Sequence, residues 1–129
     1  MYQIGADIIE IPRIAKAIER RGESFLRRVY TYREIAQYRK KITSLAARFA
    51  AKEAVMKALG QGFFTIGWQD IEVLSVPGGQ PTIRLYGRAK RRASQMGLKN
   101  LTLSLSHCRE YALAVVLASS KQEPPTSSS

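Results

Sequence analysis

The chain has one cysteine, Cys108, and one histidine, His107. A lone thiol closes no internal disulfide, and the two residues are too few for a zinc-type cluster, so any bound metal has to be held by oxygen ligands. No stretch approaches the ~20 uninterrupted apolar residues of a membrane-spanning helix. The opening MYQIGADIIEIPR lacks the basic start and long apolar middle of a signal peptide, and a cytoplasmic location with no membrane partner is expected. Acidic residues are scarce as well: 10 Asp and Glu face 21 Lys and Arg, a formal net charge of +11. Aromatic residues are not interleaved with the basic runs as they are on RNA-binding sheets, and zinc-finger spacing is missing. Both weigh against a nucleic-acid module, which the charge alone would allow.

What remains fits one soluble domain. A chain of 129 residues with 45% apolar and 24% charged residues buries a core without staples. The basic excess is concentrated in two segments. Residues 11–42 carry Arg13, Lys16, Arg20, Arg21, Arg27, Arg28, Arg33, Arg39, Lys40 and Lys41, and residues 84–99 carry six bases and no acid. Such surfaces attract polyanions, whether nucleic acid, a phosphate-rich cofactor, an acidic membrane or an acidic protein; a merely solvated helix face would look the same.

Along the chain, QIGADIIEI reads as a buried strand interrupted by Gly5 and Asp7. Pro12 opens a helix whose Ile14, Ala17 and Ile18 share a face, and Gly22 ends it. Thr31 with Glu34 matches a capping box for a helix over 32–40. Thr43 or Ser44 is placed to cap a longer helix through LAARFAAKEAVMKALG, with Gly60 and Gly62 closing it. DIEVLSV and TIRLY around VPGGQP read as a hairpin, GRAKRRASQMG as a basic helix, and LTLSLSH with YALAVVLA as two strands joined by a polar turn at 108–110. These elements predict an α+β domain over residues 1–118, with a mainly antiparallel sheet packed against helices, and a flexible tail over 119–129.

The helix over 44–59 has almost no ordinary solvent face. Leu45, Phe49, Met56 and Leu59 group on one side and six alanines cover most of the other, as in helices packed on two sides. Its charges then need partners. Arg48 falls at the edge of the apolar stripe, Lys52 inside it, and Glu53 and Lys57 adjoin one another one turn apart. One reading is structural: Glu53 and Lys57 form an i,i+4 pair, Lys52 snorkels and Arg48 finds a carboxylate. The other is that Glu53 gives an oxygen to magnesium while the three bases face phosphates. Magnesium takes only one or two protein carboxylates, and Asp7, ionised within a run of isoleucines, is the second candidate. A structural Asp bonding backbone amides is the alternative, as is a structural hydrogen bond for His107. Cys108 is incidental, and Trp68 reads as a core or interface anchor.

The blocks IGADIIEIPRI, RFAAKEAVMKALGQG, WQDIEVL and SLSH with YALAVV resemble, in order and spacing over residues 3–118, the holo-acyl-carrier-protein synthase family of 4'-phosphopantetheinyl transferases. The resemblance implies the fold of that family, a homotrimer, and coenzyme A bound in clefts between subunits. It implies a Mg2+ ion on Asp7 and Glu53, and phosphate contacts from Arg48, Lys52 and Lys57, with His107 a further ligand-binding position. The implied reaction moves the phosphopantetheine arm of coenzyme A onto a serine of an acyl carrier protein, in service of fatty acid biosynthesis. Lys57 offsets charge as the bond to the nucleotide breaks, and the serine proton goes to Glu53 or to a water on the metal. Arg13, Lys16, Arg20, Arg21 and Arg27 then have a role in docking the acidic carrier protein. A coenzyme A or nucleotide binder without turnover is the competing reading.

Overall fold

Alternation in the first and last segments makes strands, and helical spacing between them makes a helical layer. The protein's structure, a computed structural model, describes residues 1–60 and 65–121. The order is β1 (Tyr2–Glu10), α1 (Ile11–Arg21), α2 (Glu23–Val29), α3 (Tyr32–Tyr38), α4 (Ile42–Ala58), β2 (Ile71–Ser75), β3 (Pro81–Leu85), α5 (Gly87–Gln95), β4 (Asn100–His107) and β5 (Tyr111–Ser119). A short 3-10 turn, Trp68–Asp70, precedes β2. The α+β class is as expected. The strands form two antiparallel sheets rather than one: β1-β5-β4, and the hairpin β2-β3.

Helix α4 lies on the inner face of the three-stranded sheet, against β1 and β5. Its alanine side allows this, and Gly5 makes the approach closest. A Cβ at position 5 would collide with the Ala54 carbonyl and lie 2.9 Å from Ala58 N, so only glycine lets backbone meet backbone there. Inward-facing Ala112, Ala114, Val116 and Ala118 of β5 complete the seam and are buried.

Strand β1 is not buried on both faces, as its isoleucines had suggested. Gly5 and Ile9 face α4, whereas Ile4 (68% exposed) and Ile8 (59%) point outward. The side-chain period of two sends residues 4 and 8 to the same face, and among the described residues no element covers it. Tyr111, Leu113, Val115 and Leu117 of β5 extend that exposed apolar face beside them.

Local signals held to different degrees. Thr31 Oγ1 accepts from Glu34 N at 3.2 Å and Glu34 Oε1 accepts from Thr31 N at 2.9 Å, forming the capping box; the helix ends at Tyr38. Gly60, with φ +66°, follows the end of α4, and Gly62 lies outside the described residues. Neither Thr43 nor Ser44 caps α4, which begins at Ile42 after Lys41 without a side-chain cap. Helix α2 had no counterpart in the sequence reading. Strand β5 runs through Ser119, and Ser120 N donates to Met1 O at 3.0 Å; residues 122–129 of the expected tail lie outside the described residues. Among the described residues no helix is long and apolar enough to cross a membrane.

Candidate active site

Strand β1 turns Asp7 toward α4, between Gly5 and Ile9 on the inner face. Lys57 Nζ donates to Asp7 Oδ1 at 2.9 Å and to Ala6 O at 3.1 Å, tying the end of α4 to the strand. One helical turn before Lys57, Glu53 is half-buried and close enough to Asp7 to share a hydrogen bond with it. Burial raises the Glu53 carboxyl above its ordinary value, Asp7's charge and hydrogen bond raise it further, and Lys57 and Arg13 oppose the shift. Lys57 is also raised, chiefly by its hydrogen bond to Asp7. Its side chain is 57% exposed while that of Asp7 is 12% exposed, so the ammonium tip is open to a ligand although the carboxylate is enclosed.

Two carboxylates that resist carrying charge together form a site a cation would relieve. Among the described residues no group of three or more His, Cys, Asp and Glu could hold a metal, which rules out an all-protein cage there. Asp7 and Glu53 suit magnesium, which binds through one or two carboxylates and fills its shell with water and phosphate oxygens. Lys57 beside them would face those phosphates.

Lys52 does not stand with them. Its side chain is fully buried, and Nζ donates to Glu34 Oε1 at 2.7 Å, Ile71 O at 2.7 Å and Trp68 O at 3.0 Å. All three ammonium hydrogens are used, so the expected phosphate contact from Lys52 is corrected to a core ion pair. Burial lowers its pKa and Glu34 opposes that shift. Arg48 is also buried. Its guanidinium lies 3.8 Å from the Tyr38 ring centroid and donates to Tyr38 OH at 2.8 Å, Ser75 Oγ at 2.9 Å and Val73 O at 3.2 Å. It finds a ring, hydroxyls and a carbonyl rather than the carboxylate of the structural reading. Unlike Lys52, Arg48 borders a cavity of about 230 Å3 shared with Thr43, Ser44 and His107. His107 and Cys108 are both exposed. Trp68 stacks on Phe49 with ring centroids 4.7 Å apart.

Four of the five expected docking bases share one surface. Arg13, Lys16, Arg20 and Arg21 of α1 line a depression of about 370 Å3 with Ala17 and Phe25. Arg27 lies instead on α2, where it pairs with Glu23 at 3.7 Å. It borders a larger groove of about 850 Å3 between α2 and α3 that includes none of Asp7, Glu53 or Lys57. Sequence reasoning missed that Arg13 also reaches the field of Glu53; its position directly after Pro12, three residues from the end of β1, was the available signal. It also saw Glu34 only as a helix cap.

Fold and site define a small α+β protein in which two carboxylates, Asp7 and Glu53, meet beside the Lys57 ammonium. The chain belongs to the 4'-phosphopantetheinyl transferase superfamily, whose family profile matches residues 3–116, and within it to the holo-[acyl-carrier-protein] synthases. The holo-[acyl-carrier-protein] synthase of Dehalococcoides mccartyi (strain CBDB1) is 50% identical over 118 residues, covering 92% of this chain and 98% of that protein. The crystal structure of the Helicobacter pylori enzyme in complex with coenzyme A is similar at TM-score 0.81 and 36% identity, covering 90% of this chain and 99% of that one. The Plasmodium yoelii acyl carrier protein synthase with ADP bound matches at TM-score 0.82 and 30% identity, over 92% and 96% of the two chains.

Proposed function

We propose that this protein transfers the 4'-phosphopantetheine group from coenzyme A to a serine of an apo acyl carrier protein, in service of fatty acid biosynthesis. The observation that carries the mechanism is the Asp7–Glu53 pair with Lys57 bonded to Asp7 at 2.9 Å. Asp7 and Glu53 would hold the magnesium ion, whose charge stabilises the pyrophosphate as it is cleaved. Lys57, anchored by Asp7 and open at its tip, lies where it can neutralise the oxygen of the departing nucleotide. The serine oxygen forms its bond to the phosphorus that carries pantetheine, the bond from that phosphorus to the nucleotide breaks, and adenosine 3',5'-bisphosphate leaves. We assign the serine proton to Glu53 or to a water beside it.

Other features support the wider reading. The cavity beside Arg48 and His107 opens near the start of α4, where the helix dipole favours an anion such as a nucleotide phosphate. The apolar outer face of β1 and β5 suits burial between copies of the chain, as a homotrimer with coenzyme A between subunits would require. The α1 surface, basic around Phe25, suits an acidic carrier protein. We place the reaction in the cytoplasm. The test is intact-mass analysis of an apo carrier incubated with the protein, coenzyme A and magnesium. One added phosphopantetheinyl group, abolished by a chelator and by Asp7→Ala, is expected. Folded protein that modifies none of several carriers, yet binds coenzyme A, would instead make it a binder without turnover.

A further inference from the structure

Lys52, Glu53 and Ala54 are consecutive on α4, so their side chains leave the helix about 100° apart. The outer two are fixed to the rest of the fold. The Ala54 carbonyl abuts Gly5 of β1, and Lys52 is bonded to α3, to β2 and to the 3-10 turn before it. Glu53 stands between these two anchors, and Asp7 follows Gly5 by two residues on the same face of β1. The separation of the two carboxylates therefore depends on how α4 is rotated about its axis.

The anchor on the Lys52 side depends on Glu34. Two carbonyls alone do not compensate a charge taken fully out of water, so the ammonium needs the carboxylate. Glu34 is itself held rigidly: Oε1 accepts from Thr31 N at 2.9 Å as well as from Lys52, and Oε2 accepts from Val73 N at 2.7 Å. An apolar pair of similar volume would fill this space without buried charge, but it would leave the Thr31 and Val73 amides without their acceptors, and apolar packing has no direction, whereas three hydrogen bonds fix where Lys52 points.

Resting on the reading of Asp7 and Glu53 as the cation site, we propose that Glu34 is a positioning residue for that site: through Lys52 it fixes the rotation of α4 that sets Glu53 against Asp7. Glu34 touches neither carboxylate. Its effect is on how well they can converge on one ion.

The experiment is a Mn2+ titration followed by electron paramagnetic resonance on the full-length chain with coenzyme A present, paired with thermal melts. The variants are Asp7→Asn, Glu34→Gln, the double change Glu34→Gln with Lys52→Met, and Leu98→Ala, a buried position just after α5 that serves as a stability control. The double change matters because it removes both buried charges and so avoids the unpaired buried ammonium that Glu34→Gln alone would leave. Wild type is expected to bind Mn2+ in a manner lost in Asp7→Asn. Glu34→Gln and the double variant should weaken that binding by roughly tenfold or more, the usual penalty for losing the groups that orient metal ligands. The double variant should do so while still folded, whereas Leu98→Ala, which also melts earlier than wild type, binds as wild type does. A double variant that binds Mn2+ within about twofold of wild type overturns the positioning role alone. Absence of Asp7-dependent binding in wild type overturns the cation-site reading and the proposal with it.

Discussion

Lys52 and Lys57 sit five residues apart on one helix and have opposite surroundings. Lys52 is sealed from water and loses proton affinity to burial, against the pull of Glu34. Lys57 reaches into the open beside Asp7 and gains proton affinity from it. The first side of α4 is structure made of charge; the second is charge available to a ligand. The same residue type thus takes its role from what packs over it, and a helical wheel does not include those neighbours.

Substitution separates the two sides. Lys57→Met should lower the rate of carrier modification by about 10²-fold or more, the scale for removing one group that stabilises developing charge. It should leave urea unfolding nearly unchanged, since an exposed pair contributes about 0–1 kcal/mol; initial rates and equilibrium unfolding of the same preparation read both. Lys52→Met should invert the pattern of stability, losing about 3–5 kcal/mol because Glu34 is left charged and buried. A Lys57→Met protein that unfolds early, or a Lys52→Met protein that does not, would erase the distinction.

Gly5→Ala addresses the opposite anchor. Its Cβ has no room against Ala54, so β1 and α4 must part, at a cost of about 1–3 kcal/mol, and turnover should fall because Asp7 travels with the strand. Chemical denaturation and initial rates measure it. The smallest effect is a pH dependence. Glu53 binds a proton more tightly in the fold than its ordinary value of 4.5, so without metal its contribution to stability is full below that pH and is lost as pH rises through the raised value. A cation on the two carboxylates offsets that loss. The rise in melting temperature caused by magnesium should be negligible at acid pH and grow toward neutrality; a rise independent of pH would place the ion elsewhere.

Much of this was legible in the chain because local rules carried it. The period of two in LTLSLSH and YALAVVLA, the turn residues of VPGGQP, and the Thr31–Glu34 box each define an element without tertiary help. Asp7, Glu53 and Lys57 stood out because charges in apolar runs demand a reason. Helix α2 was not legible: ESFLRRV has seven residues and no side-chain cap, and it follows directly on Gly22, whose φ of +55° turns the chain and had been read only as an end. The partnership of Lys52 with Glu34, 18 residues apart, was equally hidden. The wheel did place Lys52 inside the apolar stripe, but only the packing of α3 and β2 over it shows that no phosphate can reach it.

The pairing of β1 with β5 has a consequence for engineering. Met1 and Ser120 lie side by side, joined by the Ser120 N to Met1 O bond and by the terminal amine donating to Ser120 Oγ at 2.9 Å. With the residues after Ser120 removed, a linker of a few residues would fuse the chain there into a ring, and the ring could be reopened at the exposed β2–β3 turn without cutting a strand. Sequence order would change while Asp7 and α4 kept their neighbours, giving a rearranged polypeptide in which the site's dependence on three-dimensional contacts, rather than on chain order, can be measured directly.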